Sequence, residues 1–439
     1  MPLKKAPDEI VRVPEEVTGQ PQRMVVGELM LRQTFSALRH RNFRLFFSGQ
    51  LVSLIGTWMQ NTAQGWLVYE ITGSKWLLGL VTAVNCAPML FFSILGGSIA
   101  DQHSKRNIVL WTQTAMMVLA FTFAGLVWSG HITTGEILVI AALRGVAMAF
   151  DMPARQSFMV EMTSREDLMN AISLNSSMVN GARVIGPTVA GLLIAQIGIA
   201  MCFFLDGLSY LAVIAGLMMM RLPKFVKAER TGSAAAHAFE GFSYVWKHRR
   251  MKTLLILFAI VGVFGWSYSV LMPAFAADEL KVGAGGYGAL LTANGIGALF
   301  GALTVASVGH RLSRRFLVFG GLWIFSAMLL LLAFVHNFYL ALVLLAIGGW
   351  GMLLFFSTTN TLLQLGASDE MRGRVMGVWA LVFGGMMPFG GLEAGALSHY
   401  FGVRWTVATG AVVCALAALV TWLIVRMWGN EEGRMQNAE

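Results

Sequence analysis

Three charged side chains stand inside long apolar stretches, where a charge needs a specific reason to be present. Arg144 lies within one such stretch, and the carboxyls of Asp206 and Glu393 lie within two others. A charge at the middle of a bilayer costs at least about 2.5–3.5 kcal/mol on insertion scales. Burial favours the neutral form of a carboxyl and a nearby Arg favours its charged form, so such a group can carry a proton. We predict that Arg144, Asp206 and Glu393 are coupling residues, with a substrate contact or a structural ion pair as the alternative for Arg144.

Amide, hydroxyl and indole side chains form a second set of candidates, which is suited to binding a polar or amphiphilic solute. Gln60 and Gln64 are four residues apart, so they share one face of a helix. Packing between helices is the alternative role for these amides, and an indole can equally mark a membrane interface. The predicted substrate contacts are Gln60, Asn61, Gln64, Trp266, Thr359 and Asn360.

The composition indicates that these residues belong to an integral membrane protein. The 439 residues include 32 Lys and Arg and 23 Asp and Glu, so that 13% are charged, against roughly 25% in soluble proteins. Hydrophobic residues make up 56% of the chain and the mean hydropathy is +0.66. The three Cys stand in apolar runs, so neither a disulfide framework nor a metal site is predicted. The sequence has no phosphate-binding loop and no hydrolase motif, so we predict no enzyme activity, no catalytic residues and no bound cofactor.

Apolar stretches of about 18 residues or more recur along the chain, and each is long enough to cross a hydrocarbon core about 30 Å thick. They predict an all-α membrane protein with twelve transmembrane helices in two halves of six. The first six helices are predicted at about 45–70, 76–100, 107–129, 134–155, 168–196 and 200–220. The second six are predicted at about 253–276, 286–309, 315–335, 338–364, 373–398 and 404–427.

These helices divide the chain into five predicted regions. A cytoplasmic N-terminal tail (1–44) precedes the first six-helix bundle (45–220). A cytoplasmic linker with an amphipathic helix (221–252) leads to the second six-helix bundle (253–427). A short cytoplasmic tail (428–439) completes the predicted arrangement.

The distribution of Lys and Arg predicts the orientation, because these residues concentrate in cytoplasmic loops. Only Lys75, Lys281 and Arg404 fall in predicted outer loops, and Arg144 and Arg183 fall within helices. We therefore expect a multi-pass protein of the inner membrane with both termini in the cytoplasm. The net charge of +9 then reflects topology, and no nucleic-acid partner is predicted. We expect a monomer surrounded by membrane lipid that binds a small-molecule substrate.

The segment that joins the second and third helices carries a charged motif. A pair of basic residues at the same position, Arg314 and Arg315, follows the eighth helix. A duplicated six-helix unit of this kind is typical of secondary transporters. The residues of the first copy are Gly97, Ala100, Asp101, Lys105 and Arg106.

With these residues the chain resembles the major facilitator superfamily over nearly its full length. The loop matches the superfamily pattern G-x-L-A-D-x-x-G-R-[KR], with Ser104 where the family prefers Gly. The resemblance implies that Gly97 and the Asp101, Lys105 and Arg106 charges form a cytoplasmic gate, which opens when its contacts break. Charge that only sets the topology is the alternative.

A motif on the fifth helix refines the resemblance. Arg183, Gly186 and Pro187 resemble the glycine-proline motif of the superfamily's exporters, and close helix packing is the alternative role for the Gly and Pro. Further matches are similar to the branch that contains the bacterial enterobactin exporter and macrolide-type efflux proteins, the transmembrane secretion effectors. These matches are at Arg41, Phe43, Arg44, Pro153, Arg155, Arg372 and Arg374.

The resemblance implies a secondary active exporter of a small organic molecule, such as a siderophore or a drug-like amphiphile. Alternating access with proton antiport is the implied mechanism, so the expected energy source is the proton-motive force. Two alternatives remain open from the sequence: a lysophospholipid flippase of the same fold, and a membrane receptor or scaffold that transports nothing.

Overall fold

The computed structural model describes residues 35–164, 166–222, 234–309 and 311–436, without the side chains of residues 94, 101, 234–238 and 428–436. These residues form α-helices and no strand. Helices α1 to α6 are Arg41–Thr72, Lys75–Gln102, Lys105–Trp128, Thr134–Met162, Leu168–Gln196 and Ala200–Met219. Helices α7 to α10 are Ala234–Lys247, Arg249–Phe264, Ser267–Ala274 and Ala284–Val308. Helices α11 to α14 are Gly321–Phe334, Phe338–Gly366, Arg372–Phe401 and Val403–Gln436.

The predicted all-α membrane fold is confirmed. Within the described part of the chain, eleven helical segments are long and apolar enough to cross a membrane. Helix α1 is not among them because its amide side chains lower its hydropathy. Its 32 residues nevertheless extend over about 48 Å at the rise of an α-helix, and it packs along α5 and α6. Helix α1 is therefore the polar, packed helix of the first half.

The helix predicted over 253–276 is interrupted, which the sequence reasoning did not anticipate. Helix α8 ends at Phe264 and α9 begins at Ser267. Gly265 stands at the break, where an added Cβ would lie 3.2 Å from the Cys414 sulfur. The Ser267 hydroxyl donates to the Phe264 carbonyl at 2.5 Å, which satisfies a backbone acceptor released by the break. The interruption brings Trp266 to the junction of α8 and α9.

The two halves approach most closely where small residues meet. A Cβ added to Gly391 on α13 would lie 2.7 Å from the Gly79 carbonyl oxygen on α2. A Cβ added to Gly288 on α10 would lie 2.9 Å from the Gly191 Cα on α5. Small residues let helix backbones approach closely in membranes. These glycines therefore set the spacing of the α2–α13 and α5–α10 pairs that join the halves.

The end of the bundle at the α1–α2 turn is closed by side-chain contacts, and we call it the latched end. The Tyr69 hydroxyl donates to Asp278 at 2.6 Å, and Lys75 Nζ lies 3.3 Å from the same carboxylate. The rings of Trp66 and Tyr287 stack with their centroids 5.8 Å apart. These pairs join α1 and α2 of the first half to the α9–α10 region of the second. These contacts hold the two halves together at this end of the bundle.

The opposite end carries the loop between α2 and α3, and we call it the basic end. A 3-10 turn, Ser36–Arg39, docks there on the start of α5. Arg39 and His40 each contact the Asp167 carboxylate at 2.7 Å. Hydrogen bonds from Ser36, His40 and Arg39, in that order of importance, lower the pKa of Asp167 to about 2. The contact fixes the angle at which the chain enters α1.

The linker between the two halves contains helix α7. Its Glu240 carboxylate pairs with Arg374 of α13 at 2.7 Å, and a Cβ added to Gly241 would lie 2.7 Å from the Arg374 carbonyl oxygen. Phe239 and Trp246 are exposed on the same helix. Helix α7 therefore docks on the basic end of the second half and leaves aromatic side chains outside. Residues 223–233 of the linker, 1–34 of the N-terminal tail and 437–439 lie outside the described residues.

Candidate functional site

A cavity of about 540 Å³ lies between the two halves, and polar side chains from both halves line it. The first half contributes residues of α1, α2, α4 and α5, and the second half contributes residues of α9, α10, α12 and α13. The polar groups at its wall include Asn61, Gln64, Asn85, Arg144, Asn180, Arg183, Tyr268 and Asn294. Apolar groups such as Leu291, Met352 and Phe356 complete the wall. The volume and this mixture suit a small amphiphilic molecule.

Arg144 is held in the cavity wall by amides of α1. Its two terminal nitrogens donate to Gln64 Oε1 and to Asn61 Oδ1, both at 3.1 Å. Only 2% of Arg144 is exposed, although it lines the cavity. A Cβ at Gly145 would collide with the Asn85 carbonyl, so this glycine lets α4 lie directly against α2. The predicted candidates Arg144, Asn61 and Gln64 therefore meet at one place.

Gln60 connects Arg144 to Asp206 behind the cavity wall. In the amide orientation that satisfies both neighbours, its nitrogen donates to Asp206 Oδ2 and its oxygen accepts from Arg144 Nη1 at 3.2 Å. Gln60 and Asp206 are both fully buried. The Ser209 hydroxyl lies 3.4 Å from Asp206 Oδ1. We call Arg144, Gln60 and Asp206 the polar relay.

The relay changes the role that the sequence predicted for Gln60. Asn61 and Gln64 line the cavity, but Gln60 points away from it toward α6. Its position favours a bridge between charges over a direct substrate contact. The i, i+4 spacing places Gln60 and Gln64 on the side of α1 that faces Arg144, and both amides contact it. Only Gln64 also lines the cavity.

Arg183 on α5 lies between aromatic residues of the two halves. Its guanidinium carbon is 5.1 Å from the centroid of the Trp58 ring and 5.9 Å from that of Trp266. Gly186 permits this arrangement, because a Cβ there would lie 2.5 Å from Trp58 Cβ. Pro187 lines the cavity one position later. The fifth-helix motif therefore both packs α5 against α1 and presents a cation to the cavity.

Glu393 lies apart from the cavity lining, within the second half. Its carboxylate lies beside Ser267 and Cys414, in the space between α9, α13 and α14. Neither of its oxygens has a hydrogen-bond partner among the described residues. The adjacent Ser267 directs its hydroxyl proton to the Phe264 carbonyl. The structure therefore separates Glu393 from Arg144 and Asp206, the other two coupling candidates.

Thr359 and Asn360 lie on α12 beyond the part of that helix that lines the cavity. The Thr359 hydroxyl donates to the Phe355 carbonyl at 2.7 Å, and Asn360 Oδ1 accepts from Gln364 at 2.7 Å. Both of these hydrogen bonds lie within α12. The part of α12 at the cavity is 349–356, with Gly349, Met352, Leu353 and Phe356 in the wall. Trp266, the remaining predicted contact, does line the cavity.

Two of the predicted gate residues, Lys105 and Arg106, contact their own half in this conformation. Lys105 pairs with Glu161 at the end of α4, and Arg106 donates to the Met218 carbonyl of α6 at 3.2 Å. Gly97 has open space where a Cβ would be. The side chain of Asp101 lies outside the described residues. The gate between the halves stays a prediction for another conformation of the protein.

The contacts of the latched end were not among the residues predicted from the sequence. Asp278 and Glu279 follow Pro273 in a π-helical turn, Phe275–Glu279, that continues α9. Glu279 pairs with Arg404 of α14. Asp278 accepts a hydrogen bond from Tyr69 and forms an ion pair with Lys75. Two acidic residues beside the few basic residues of the predicted outer loops were the available signal.

The sequence also matches a known family. The profile of the transmembrane secretion effectors matches residues 32–437, which is nearly the whole chain. The chain belongs to this family. The resemblance drawn from the loop and helix-five motifs is thereby confirmed, and the family consists of membrane transporters of the major facilitator type.

Relatives of this chain include siderophore and drug transporters. It is 23% identical to the staphyloferrin A transporter of Staphylococcus aureus, over 87% of this chain and 96% of that protein. It is 26% identical to the multidrug efflux pump Tap of Mycolicibacterium fortuitum, over 82% and 90%. It is 25% identical to the enterobactin exporter EntS of Shigella boydii, over 77% and 81%.

Among solved structures, this chain is similar to an inward-facing bacterial homologue of the human lysosomal transporter Spinster. The TM-score is 0.72 at 15% identity, and the alignment covers 88% of this chain and 97% of that one. This likeness supports the fold.

Proposed function

We propose that this protein is a secondary active exporter of a small organic molecule, driven by proton antiport through alternating access. A siderophore or a drug-like amphiphile is the proposed substrate class, and the proton-motive force is the proposed energy source. The relatives named as siderophore or multidrug exporters support the direction and the substrate class. Proton coupling rests on the side chains of this chain.

The observation that carries the coupling is the polar relay. Asp206 is a fully buried carboxyl, and Gln60 connects it to Arg144 at the cavity wall. A buried carboxyl that loses or gains a proton changes the charge balance of its surroundings strongly, because little solvent screens it. The relay therefore provides a proton site that is mechanically connected to the substrate cavity without lying in it.

The relay explains how proton binding and substrate binding can disfavour each other. An ionised Asp206 accepts a hydrogen bond from the Gln60 amide nitrogen. The amide oxygens of Gln60, Asn61 and Gln64 then hold the Arg144 guanidinium in the wall. A protonated Asp206 no longer attracts Arg144 through Gln60, so the amides at the wall lose their fixed arrangement. Substrate binding then favours the deprotonated form, and proton binding favours release, as antiport requires.

The orientation of the exporter follows from its charges. The basic end carries Lys105, Arg106, Arg155 and Arg374, and the positive-inside rule assigns it to the cytoplasm. We propose a monomer in the inner membrane, with both termini cytoplasmic and lipid around the bundle. In this orientation the latched end faces outward, and the structure is closed to the outside.

The test uses everted membrane vesicles that acidify their lumen. With siderophores and drugs as candidate solutes, we expect uptake that requires the protein and stops when an uncoupler collapses the gradient. Uptake that persists at full rate with the uncoupler would overturn proton coupling and leave facilitated transport. Uptake of a fluorescent lysophospholipid in place of any soluble solute would instead support the flippase alternative.

A further inference from the structure

The charge balance of the cavity points to the class of molecule that the exporter carries. The described residues of its wall include two guanidiniums, Arg144 and Arg183, and no Asp or Glu. Asp206 offsets Arg144 through Gln60. No carboxylate of the described residues pairs with Arg183. One full positive charge at the cavity is therefore left without a negative partner.

Among the described residues, Arg183 contacts aromatic rings, and its hydrogen-bond donors have no partner. Trp58 and Trp266 meet it through the faces of their rings, at 5.1 and 5.9 Å. Cation–π attraction of this kind is weaker than the cost of placing an Arg within a membrane. The guanidinium N–H groups form a planar fork that matches a carboxylate with two parallel hydrogen bonds.

We propose that Arg183 is the anion-binding group of the substrate site, and that the exported molecule is a water-soluble organic carboxylate with an aromatic or planar apolar part. This assignment rests on the proposed export function and names its substrate class. The carboxylate binds the Arg183 fork, and the apolar part lies against Trp58 and Trp266. Because the two indoles belong to opposite halves, a bound substrate contacts both halves of the molecule.

The position of Arg183 also suits a site that must change with the conformation. Trp58 is on α1, and Trp266 stands at the break between α8 and α9. Relative motion of the halves moves these two rings apart, since each moves with its own helix. Opening of the latched end would therefore remove one wall of the proposed site and weaken its hold on the anion.

The test is equilibrium dialysis of the purified protein in lipid nanodiscs, without a proton gradient. The labelled probes are 1-naphthoate, the neutral 1-naphthalenemethanol and the cation 1-naphthylmethylammonium. We expect 1-naphthoate to bind at least about 10-fold more tightly than the other two, the effect of one or two hydrogen bonds to a charged group. Equal binding of the three probes would overturn the proposal.

Three variants locate the effect. Arg183→Gln should weaken naphthoate binding by about 10- to 100-fold and leave the neutral probe unchanged. Arg183→Lys should lose part of the affinity, because it keeps the charge and loses the fork. Arg221→Gln, which removes an exposed Arg at the basic end, should bind like the wild type. Unchanged naphthoate binding in Arg183→Gln would refute the assignment.

A lipid anion is distinguished in the same experiment. Lysophosphatidylglycerol should fail to displace 1-naphthoate at concentrations where benzoate competes, and displacement by the lysolipid alone would overturn the choice of a soluble anion. If Arg183→Gln does not fold, the charge preference of the wild type and of Arg183→Lys still decides the question. Because no gradient is present, naphthoate binding in a protein whose vesicle uptake ignores the uncoupler would retain the anion site and reject only proton coupling. Naphthoate binding in a protein without vesicle uptake would retain the anion site and reject the proposed export.

Discussion

Asp206 and Glu393 are both carboxyls within membrane-spanning helices, but their surroundings differ. Asp206 is fully buried and accepts the Gln60 amide, which in turn contacts Arg144 at the cavity. Glu393 lies in the second half beside Cys414 and away from the cavity wall, and its oxygens have no hydrogen-bond partner among the described residues. The chemistry of the two groups is the same, and their connections decide what each can do. Proton binding at Asp206 can change the substrate site through Gln60 and Arg144. The described contacts do not connect Glu393 to that site.

The largest expected effect comes from breaking the relay at its cation. Arg144→Gln leaves Asp206 without a compensating charge, and loss of one partner of a buried pair costs about 3–5 kcal/mol. We expect a clear fall in thermal stability in detergent and transport reduced by about 100-fold or more. The double variant Arg144→Gln with Asp206→Asn should regain stability without regaining transport. A single variant as stable as the wild type would contradict the relay.

The next effect tests the bridge itself. Gln60→Leu removes the hydrogen-bond partner of Asp206 Oδ2 and one acceptor of Arg144 Nη1, at about 1–3 kcal/mol for each group. We expect proton-driven uptake in vesicles to fall by about 10-fold or more. Gln50→Leu is the matched control, because Gln50 is equally buried on α1 and its oxygen has no partner among the described residues. Similar losses in both variants would mean that the bridge has no special role.

A smaller effect is expected at the latched end, which both halves share. Tyr69→Phe removes a hydrogen bond to the Asp278 carboxylate, and bonds to charged groups contribute about 1.5–3 kcal/mol. We expect the population open at that end to rise by about 10-fold or more. Spin labels at His131 and His336, one on each half, measure the separation. Tyr339→Phe, at an exposed ring, should leave the distances unchanged, and an unchanged distribution in Tyr69→Phe would remove the latch.

The smallest effect is expected at the other carboxyl. Glu393→Gln removes a charge that the described contacts do not satisfy, and its amide is less costly to bury. We expect proton-driven uptake within about 2-fold of the wild type and thermal stability equal or slightly higher. Loss of coupling in this variant would transfer the proton site to the second half and break the contrast with Asp206.

The sequence predicted the helices well and the relay only in part. Apolar length identified the spans, and α5 has the predicted bounds 168–196. Arg144 and Asp206 were both candidates because charges are rare in apolar runs. Their connection was not predictable, since it depends on the rotation of α1, α4 and α6 about their axes. Gln60 therefore looked like a substrate contact, and its burial toward Asp206 required the packed structure.

The sequence did not predict the break after helix α8 or the separation of Glu393, for a similar reason. Gly265 is one of many glycines in apolar segments, so its residue type alone does not predict a break there. Glu393 shares its residue type and apolar setting with Asp206, so composition could not rank the two. Tertiary packing places Asp206 in the polar relay and leaves Glu393 outside it.

The most direct test compares Asp206→Asn with Glu393→Gln in everted vesicles that contain equal amounts of folded protein. For a solute that the wild type exports, proton-driven accumulation and its sensitivity to an uncoupler are measured together. Asp206→Asn should lose uncoupler-sensitive accumulation and keep exchange of labelled for unlabelled solute, whereas Glu393→Gln should keep both. Full proton-driven accumulation in Asp206→Asn would contradict the assignment of coupling to the relay.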